Sequence, residues 1–356
     1  MIIFRFSSFI CFCILLLQLA CRPDLPDDIF NPSPYFLQLP PNLPPLESPI
    51  DNPLTEEGVH LGRMLFYDPL LSADGTQSCS SCHLQSFGFS EPNQFSTGID
   101  GIQGSRNAMS VFNLAWSPYL NWDGSIQGLE NQAFEPVTNP IEMHETWENV
   151  AEKLNAHSEY PTLFKKAFDI DEIDSIYVTK AIAQFDRILI SGNSKWDQWI
   201  QGEVIFSDKE LKGWDLFNLD RTDFSAGGDC FHCHAPPHFT DFTFHNNGLD
   251  SDETFTDLGL FLSTSNDLDK AKFKTPTLRN IEFSGPYMHD GRFQTLEEVV
   301  DHYNFGGHAS STVDPLMKNI GQGLALSPND KEALVAFLKT LTDEEFLNNP
   351  KFSNPF

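Results

Sequence analysis

Cysteine is scarce in the body of this 356-residue chain: of seven cysteines, Cys11, Cys13 and Cys21 fall in the first 21 residues, and four remain. Those four are Cys79, Cys82, Cys230 and Cys233, in two Cys-x-x-Cys-His units, so none is left over for a structural disulfide. Positive charge is scarce as well. With 22 Lys and Arg against 50 Asp and Glu the formal net charge is −28, which excludes nucleic acid as a partner, because phosphate contacts need a basic surface. Alternating apolar and polar runs of the kind that make half-buried strands are few, which argues against an all-β fold. Apolar runs long enough to span a bilayer comfortably are missing too; the best candidate, residues 1–20, is short and carries an early Arg5.

That first run reads as a secretory signal (1–20), and it ends in Leu19-Ala20-Cys21, which resembles a bacterial lipoprotein cleavage site despite Gln18. Two outcomes follow: a lipid on Cys21, the one membrane contact expected, or ordinary cleavage. A proline-rich stretch at 21–53 cannot hold a helix and predicts an extended tether or strap. Beyond it the pattern predicts helices at 55–66, 146–156, 160–168, 173–190, 207–218, 294–304 and 327–341. Ser207 with Glu210 and Thr295 with Glu298 form capping boxes. A loop as long as 84–145 is unusual unless a large prosthetic group supplies core volume.

The chain also repeats itself. Gly62-x-x-Leu65-Phe66 precedes Cys79 as Gly213-x-x-Leu216-Phe217 precedes Cys230, each Gly lying 17 residues before its Cys. A helix, a loop and a Cys-x-x-Cys-His thus recur about 150 residues apart, as in a duplicated module. In each unit two thiols can add to the two vinyl groups of one haem, and the adjacent histidine, His83 or His234, can bind its iron. A zinc knuckle would want four ligands per site and a redox dithiol a βαβ setting, and neither pattern is present. The expected fold is mostly α, with two cytochrome c-like haem domains (54–195 and 196–345) related by internal duplication, long loops and little β structure. Cofactors are two covalently bound haem c groups.

What faces each iron is suggested by longer stretches: Arg106 to Asn113, Asn121-Trp122-Asp123-Gly124, Gln132-Ala133 and Asn139 to Met143 in the first half. In the second they are Phe273 to Asn280, Pro286 to Gly291 and Asp301 to Asn304. From about Leu54 to Leu341 the chain resembles the bacterial di-haem cytochrome c peroxidase and MauG family. The resemblance implies that Trp122 bridges the haems, that Glu142 is the distal proton-transfer group, and that Gln132 and Pro136 complete the distal pocket; alone, Glu142 would read as a surface carboxylate and Trp122 as a core aromatic. It implies a calcium ion between the halves, held by Asn107 and the carbonyls of Ser284 and Pro286.

Two positions depart from the peroxidase pattern. Ile99 stands where those peroxidases have a loop histidine able to cap the first iron, so that iron is expected to be open, with His144 the nearest substitute ligand. Tyr303 falls on the sixth position of the second iron, where electron-transferring members place methionine and MauG places tyrosine. His302, His308 and Met288 are alternatives, and His289 is expected to pack beside that haem. The leading expectation is a periplasmic peroxidase that reduces hydrogen peroxide at the first haem, with electrons from a small cytochrome c or cupredoxin. One alternative is a MauG-like enzyme that oxidises side chains of a partner protein. The other is a non-enzymatic electron carrier, which would leave Glu142, Gln132 and Trp122 without a role.

Overall fold

The computed structural model describes residues 30–222 and 225–356; the signal segment, Cys21 and the start of the proline-rich stretch lie outside the described residues. The stretch that follows is a bound strap. Its backbone pairs with the start of the first helix, Tyr35 N–H donating to the Leu54 carbonyl at 3.0 Å and Glu56 N–H to Ser33 at 2.9 Å, and Leu43 is buried.

Thr55 ends the strap and starts the Glu56–Tyr67 helix: its extended backbone frees the side chain to accept from Gly58 N–H, and Glu56 and Glu57 sit favourably in the first turn. This helix lays its apolar stripe on the Ser175–Ile188 helix, capped by Asp174. Only glycine fits at the crossing, because a Cβ on Gly62 would lie 1.9 Å from the Ala181 carbonyl oxygen and 3.0 Å from Phe185 Cβ. The same packing occurs in the second half, where Asp208–Phe217 crosses Pro328–Lys339, both started by capping boxes. There a Cβ on Gly213 would lie 2.0 Å from the Ala333 oxygen and 2.7 Å from Phe337 Cβ.

The chain is mostly helical, and all seven predicted helices are present, their ends shifted by at most two residues. The pattern missed the short helices Leu129–Gln132, Phe134–Thr138, Lys195–Ile200, Phe261–Thr264 and Glu344–Asn348, which are too short for a 3.6-residue period to show. Among the described residues the one sheet has two antiparallel strands, Phe244–His245 and Phe273–Lys274, with Phe244 opposite Lys274.

Two further features position the functional residues. Arg279 and Asp197, both fully buried, meet as a fork at 2.8 and 2.9 Å, while Arg279 also donates to the Pro237 carbonyl and so fixes the turn after His234. Beyond Leu341 the chain returns to the first half. Asp343 accepts from the backbone of Gly192 and Asn193, each at 2.9 Å, and Phe346 packs on Phe89 and Phe112 with ring centroids 5.6 and 5.3 Å apart. Burying that one ring contributes about 2–3 kcal/mol.

Candidate haem and peroxide site

Each Cys-x-x-Cys-His unit winds into one tight turn. Cys79–Ser81 and Cys230–His232 are 3-10 turns, and the backbone N–H of each histidine returns to the carbonyl of the first cysteine at 3.0 Å. His83 Nδ1 is held by the Phe89 carbonyl at 2.9 Å and His234 Nδ1 by the Phe239 carbonyl at 3.0 Å. Each Nε2 is thereby left for a metal, and burial pushes both imidazoles toward the neutral, ligating form. The four thiols form no disulfide, and burial pushes Cys79 and Cys230 up to about 12. Paired, protonated thiols beside a neutral imidazole with one fixed nitrogen are the donor set a c-type haem needs. Both units therefore fit the group.

Around the first unit the structure assembles a cluster of polar side chains. Glu142 is close enough to Cys79 and Cys82 for its charge to raise both thiols. Its Oε1 accepts from Asn139 Nδ2 at 2.7 Å, and desolvation raises its own pKa, with Glu135 adding to the rise. Gln132 donates to Asn121 Oδ1 at 3.0 Å, whereas its buried Oε1 has no partner. An unpaired buried acceptor is costly unless a ligand donates to it. The Pro136 carbonyl braces the same turn by accepting from Met143 N–H.

Ile99 lies beside this cluster, its N–H bonded to the Glu142 carbonyl at 2.9 Å. His144, the substitute ligand considered above, is half exposed and pairs with Asp100 at 2.6 Å. Trp122 is buried between the halves: its indole N–H donates to the Asn107 carbonyl at 2.9 Å, and its own carbonyl accepts from Lys274 N–H at 2.8 Å.

Around the second unit the surroundings differ. Tyr303 is partly buried near Cys230 and Cys233, and desolvation pushes its phenol up to about 12. Asn247 Nδ2 donates to the Tyr303 hydroxyl at 3.2 Å and reaches Met288 Sδ at 3.4 Å, so these two candidate ligands lie side by side. His302 is engaged through Nε2 with the Asn247 carbonyl, His308 lies against Phe305, and His289 stacks flat on Phe273 at 3.6 Å.

A cavity open to solvent lies between the halves. Trp122 lines it, together with Asn107, Ser284 and Pro286, which the resemblance names for calcium; all three offer neutral oxygen, the donor type calcium takes. Two side chains not singled out in the sequence line this region, Lys274 and His238, and Trp116 packs against His238. Their signal was faint. Lys274 sits in a quoted stretch, but no local pattern reports that a lone lysine is buried.

Comparison with known proteins agrees with this geometry. Residues 56–205 match the family model described as di-haem cytochrome c peroxidase. The methylamine utilization protein MauG of Methylorubrum extorquens is 39% identical over 300 residues, covering 83% of this chain and 81% of that protein. The cytochrome c551 peroxidase of Nitrosomonas europaea is 36% identical over 307 residues, covering 85% and 84%. Among solved structures, a MauG-like protein associated with microbial copper homeostasis superposes with a TM-score of 0.83 at 36% identity, covering 90% of this chain and 99% of that one.

Proposed function

Because this chain belongs to the di-haem cytochrome c peroxidase and MauG family, we propose that it is a periplasmic peroxidase. It would reduce hydrogen peroxide to water in the pocket beside His83, with electrons from a small cytochrome c or cupredoxin. The observation that carries this reading is the placement of Glu142: a desolvated carboxyl next to a Cys-x-x-Cys-His unit, with an unpaired acceptor on Gln132 and an isoleucine at position 99.

When bound, the haems at His83 and His234 supply redox-active iron that exchanges electrons with peroxide and with the donor. The chain's own residues do the rest. Glu142 Oε1 is held by Asn139, so Oε2 takes the proton from one peroxide oxygen and returns it to the departing one. The raised pKa of Glu142 suits that exchange, because a carboxyl nearer neutrality both accepts and releases a proton readily. Gln132 Oε1 receives a hydrogen bond from peroxide and orients it. Trp122, fixed at both ends by hydrogen bonds, carries electrons between the modules at 54–195 and 196–345. Asn107 with the carbonyls of Ser284 and Pro286 would hold calcium at their junction. The acidic surface, at net −28, favours a basic donor.

Haem-loaded protein, supplied with reduced cytochrome c, is expected to consume peroxide. Glu142→Gln is expected to lower turnover about 10²- to 10⁴-fold with both haems retained. No consumption by loaded protein, or full turnover in the variant, would remove the proposal.

Tyr303 favours a second reading, oxidation of a partner protein's side chains in the MauG-like manner, since a phenolate ligand disfavours the low-valent iron that a donor cytochrome must feed. The same assay separates the two: peroxide consumption that cytochrome c does not accelerate supports the second.

A further inference from the structure

The cavity between the halves has an unexpected electrostatic character. In a chain with 50 acidic residues, no Asp or Glu lines it; its polar lining is Ser, Thr and Asn together with Lys274, His238 and the phenol of Tyr287. Lys274 is 5% exposed, and its Nζ reaches only Tyr119 O at 3.2 Å and Ser117 Oγ at 3.4 Å. No described carboxylate pairs with it, and burial alone pulls its amine down to about 8. His238 is 7% exposed and both ring nitrogens lack a partner. Its ring centroid lies 4.7 Å from that of Trp116 with the planes tilted by 43°, and the buried Nε1 of Trp116 is also unpaired.

Buried donors are ordinarily satisfied, and a buried cation is ordinarily paired. One unpaired group could be incidental. Two on one acid-free cavity, a lysine without a counterion and a histidine without a partner, describe a place for an anion. We propose that Lys274 and His238 form a carboxylate-binding cradle beside Trp122, and that its natural occupant is a carboxylate side arm of a haem held by the Cys-x-x-Cys-His units. The proposal rests on haem attachment and is independent of the peroxide chemistry. Lys274 is a positioning residue, and its pairing has a consequence at Trp122. The Lys274 backbone N–H is bonded to the Trp122 carbonyl and both residues line the cavity, so neutralising the ammonium lowers the positive potential at an electron-deficient indole.

The test is the reduction potential of the two haems in the full haem-loaded protein, after intact mass has verified two haems. Lys274→Met is expected to lower the potential of one haem, because its carboxylate loses a compensating charge. The expected size is at least tenfold in the reduction equilibrium, or about 59 mV for one electron. Lys274→Arg should restore most of the shift, and His238→Phe should lower the same potential by less. A second arm adds acetate. If the wild-type potential moves with acetate and that of Lys274→Met does not, the cradle stands but holds a free carboxylate. Wild-type potentials in Lys274→Met and His238→Phe, unchanged by acetate, would overturn it. Should Lys274→Met not assemble, His238→Phe and the acetate titration of wild type still decide. Loss of peroxide turnover would leave these potentials readable, so the two proposals fail separately.

Discussion

The regions around His83 and His234 share a frame and differ in what they bring to it. In both, a glycine admits a carbonyl oxygen at the helix crossing, and histidine Nδ1 is tied to a backbone carbonyl five or six residues on. In both, an asparagine in the left-handed conformation docks on the end of the crossing helix: Asn113 (φ 53°) donates to the Leu189 carbonyl, and Asn280 (φ 55°) to that of Leu341. The differences begin one side chain away. The first region has Phe112 in an aromatic cluster, Asp186 on the crossing helix and a desolvated Glu142; the second has Arg279 paired with Asp197, Leu338 on its helix and a partly buried Tyr303. Holding a haem takes the shared frame, whereas the chemistry done there depends on the side chains hung on it.

The largest expected effect breaks the second region alone. Arg279→Met strands Asp197 as a buried, unpaired charge and is expected to cost about 3–5 kcal/mol, read as a lower denaturant midpoint of the haem-loaded protein. An unchanged midpoint would mean that the pair is dispensable and that Phe112 and Arg279 are interchangeable solutions. Next come the matched glycines. Gly62→Ala and Gly213→Ala each force a methyl against a carbonyl, and each should cost about 1–3 kcal/mol or more, by similar amounts. A marked inequality in chemical denaturation would show that the shared crossing is not equally tight in the two halves.

The smallest concerns Asp186, which occupies the helix position that Leu338 holds in the other half. Burial raises its carboxyl to about 7, with Arg187 opposing and Glu130 adding, and its Oδ1 has no partner. A folded pKa above the unfolded value means that the native state holds the proton more tightly. The stability this group contributes is therefore fully present below about pH 4 and is lost as the pH rises through about 7. Asp186→Asn should remove that loss, leaving the melting temperature higher than wild type at pH 8 and little changed at pH 4. Relaxation and water entry limit the gain to about 1–2 kcal/mol. Equal melting temperatures at pH 8 would count against a strained carboxyl.

Much of this was legible before any coordinates. The seven longer helices follow from apolar period and caps, and the haem-holding residues are contiguous, so their chemistry is written in five letters each. Glu142, Gln132 and Trp122 could be named only by resemblance, because they lie on separate segments and no local pattern marks any of them. Lys274, His238 and Asp186 were invisible: each is an ordinary polar residue in an ordinary local pattern, and only burial without a counterion or a full set of hydrogen-bond partners sets it apart. The return of the chain after Leu341 into the first half was equally hidden, since a short amphipathic segment does not state which core it joins.

The linear chain by itself determined the haem-binding turns and the main helices, because both rest on interactions within a few residues of each other. Which side chains face the vacant nitrogen of each histidine, and which are left unpaired in the space between the halves, was decided by tertiary packing. Desolvation and charge compensation depend on every group that closes over a site, and those groups lie far apart in sequence.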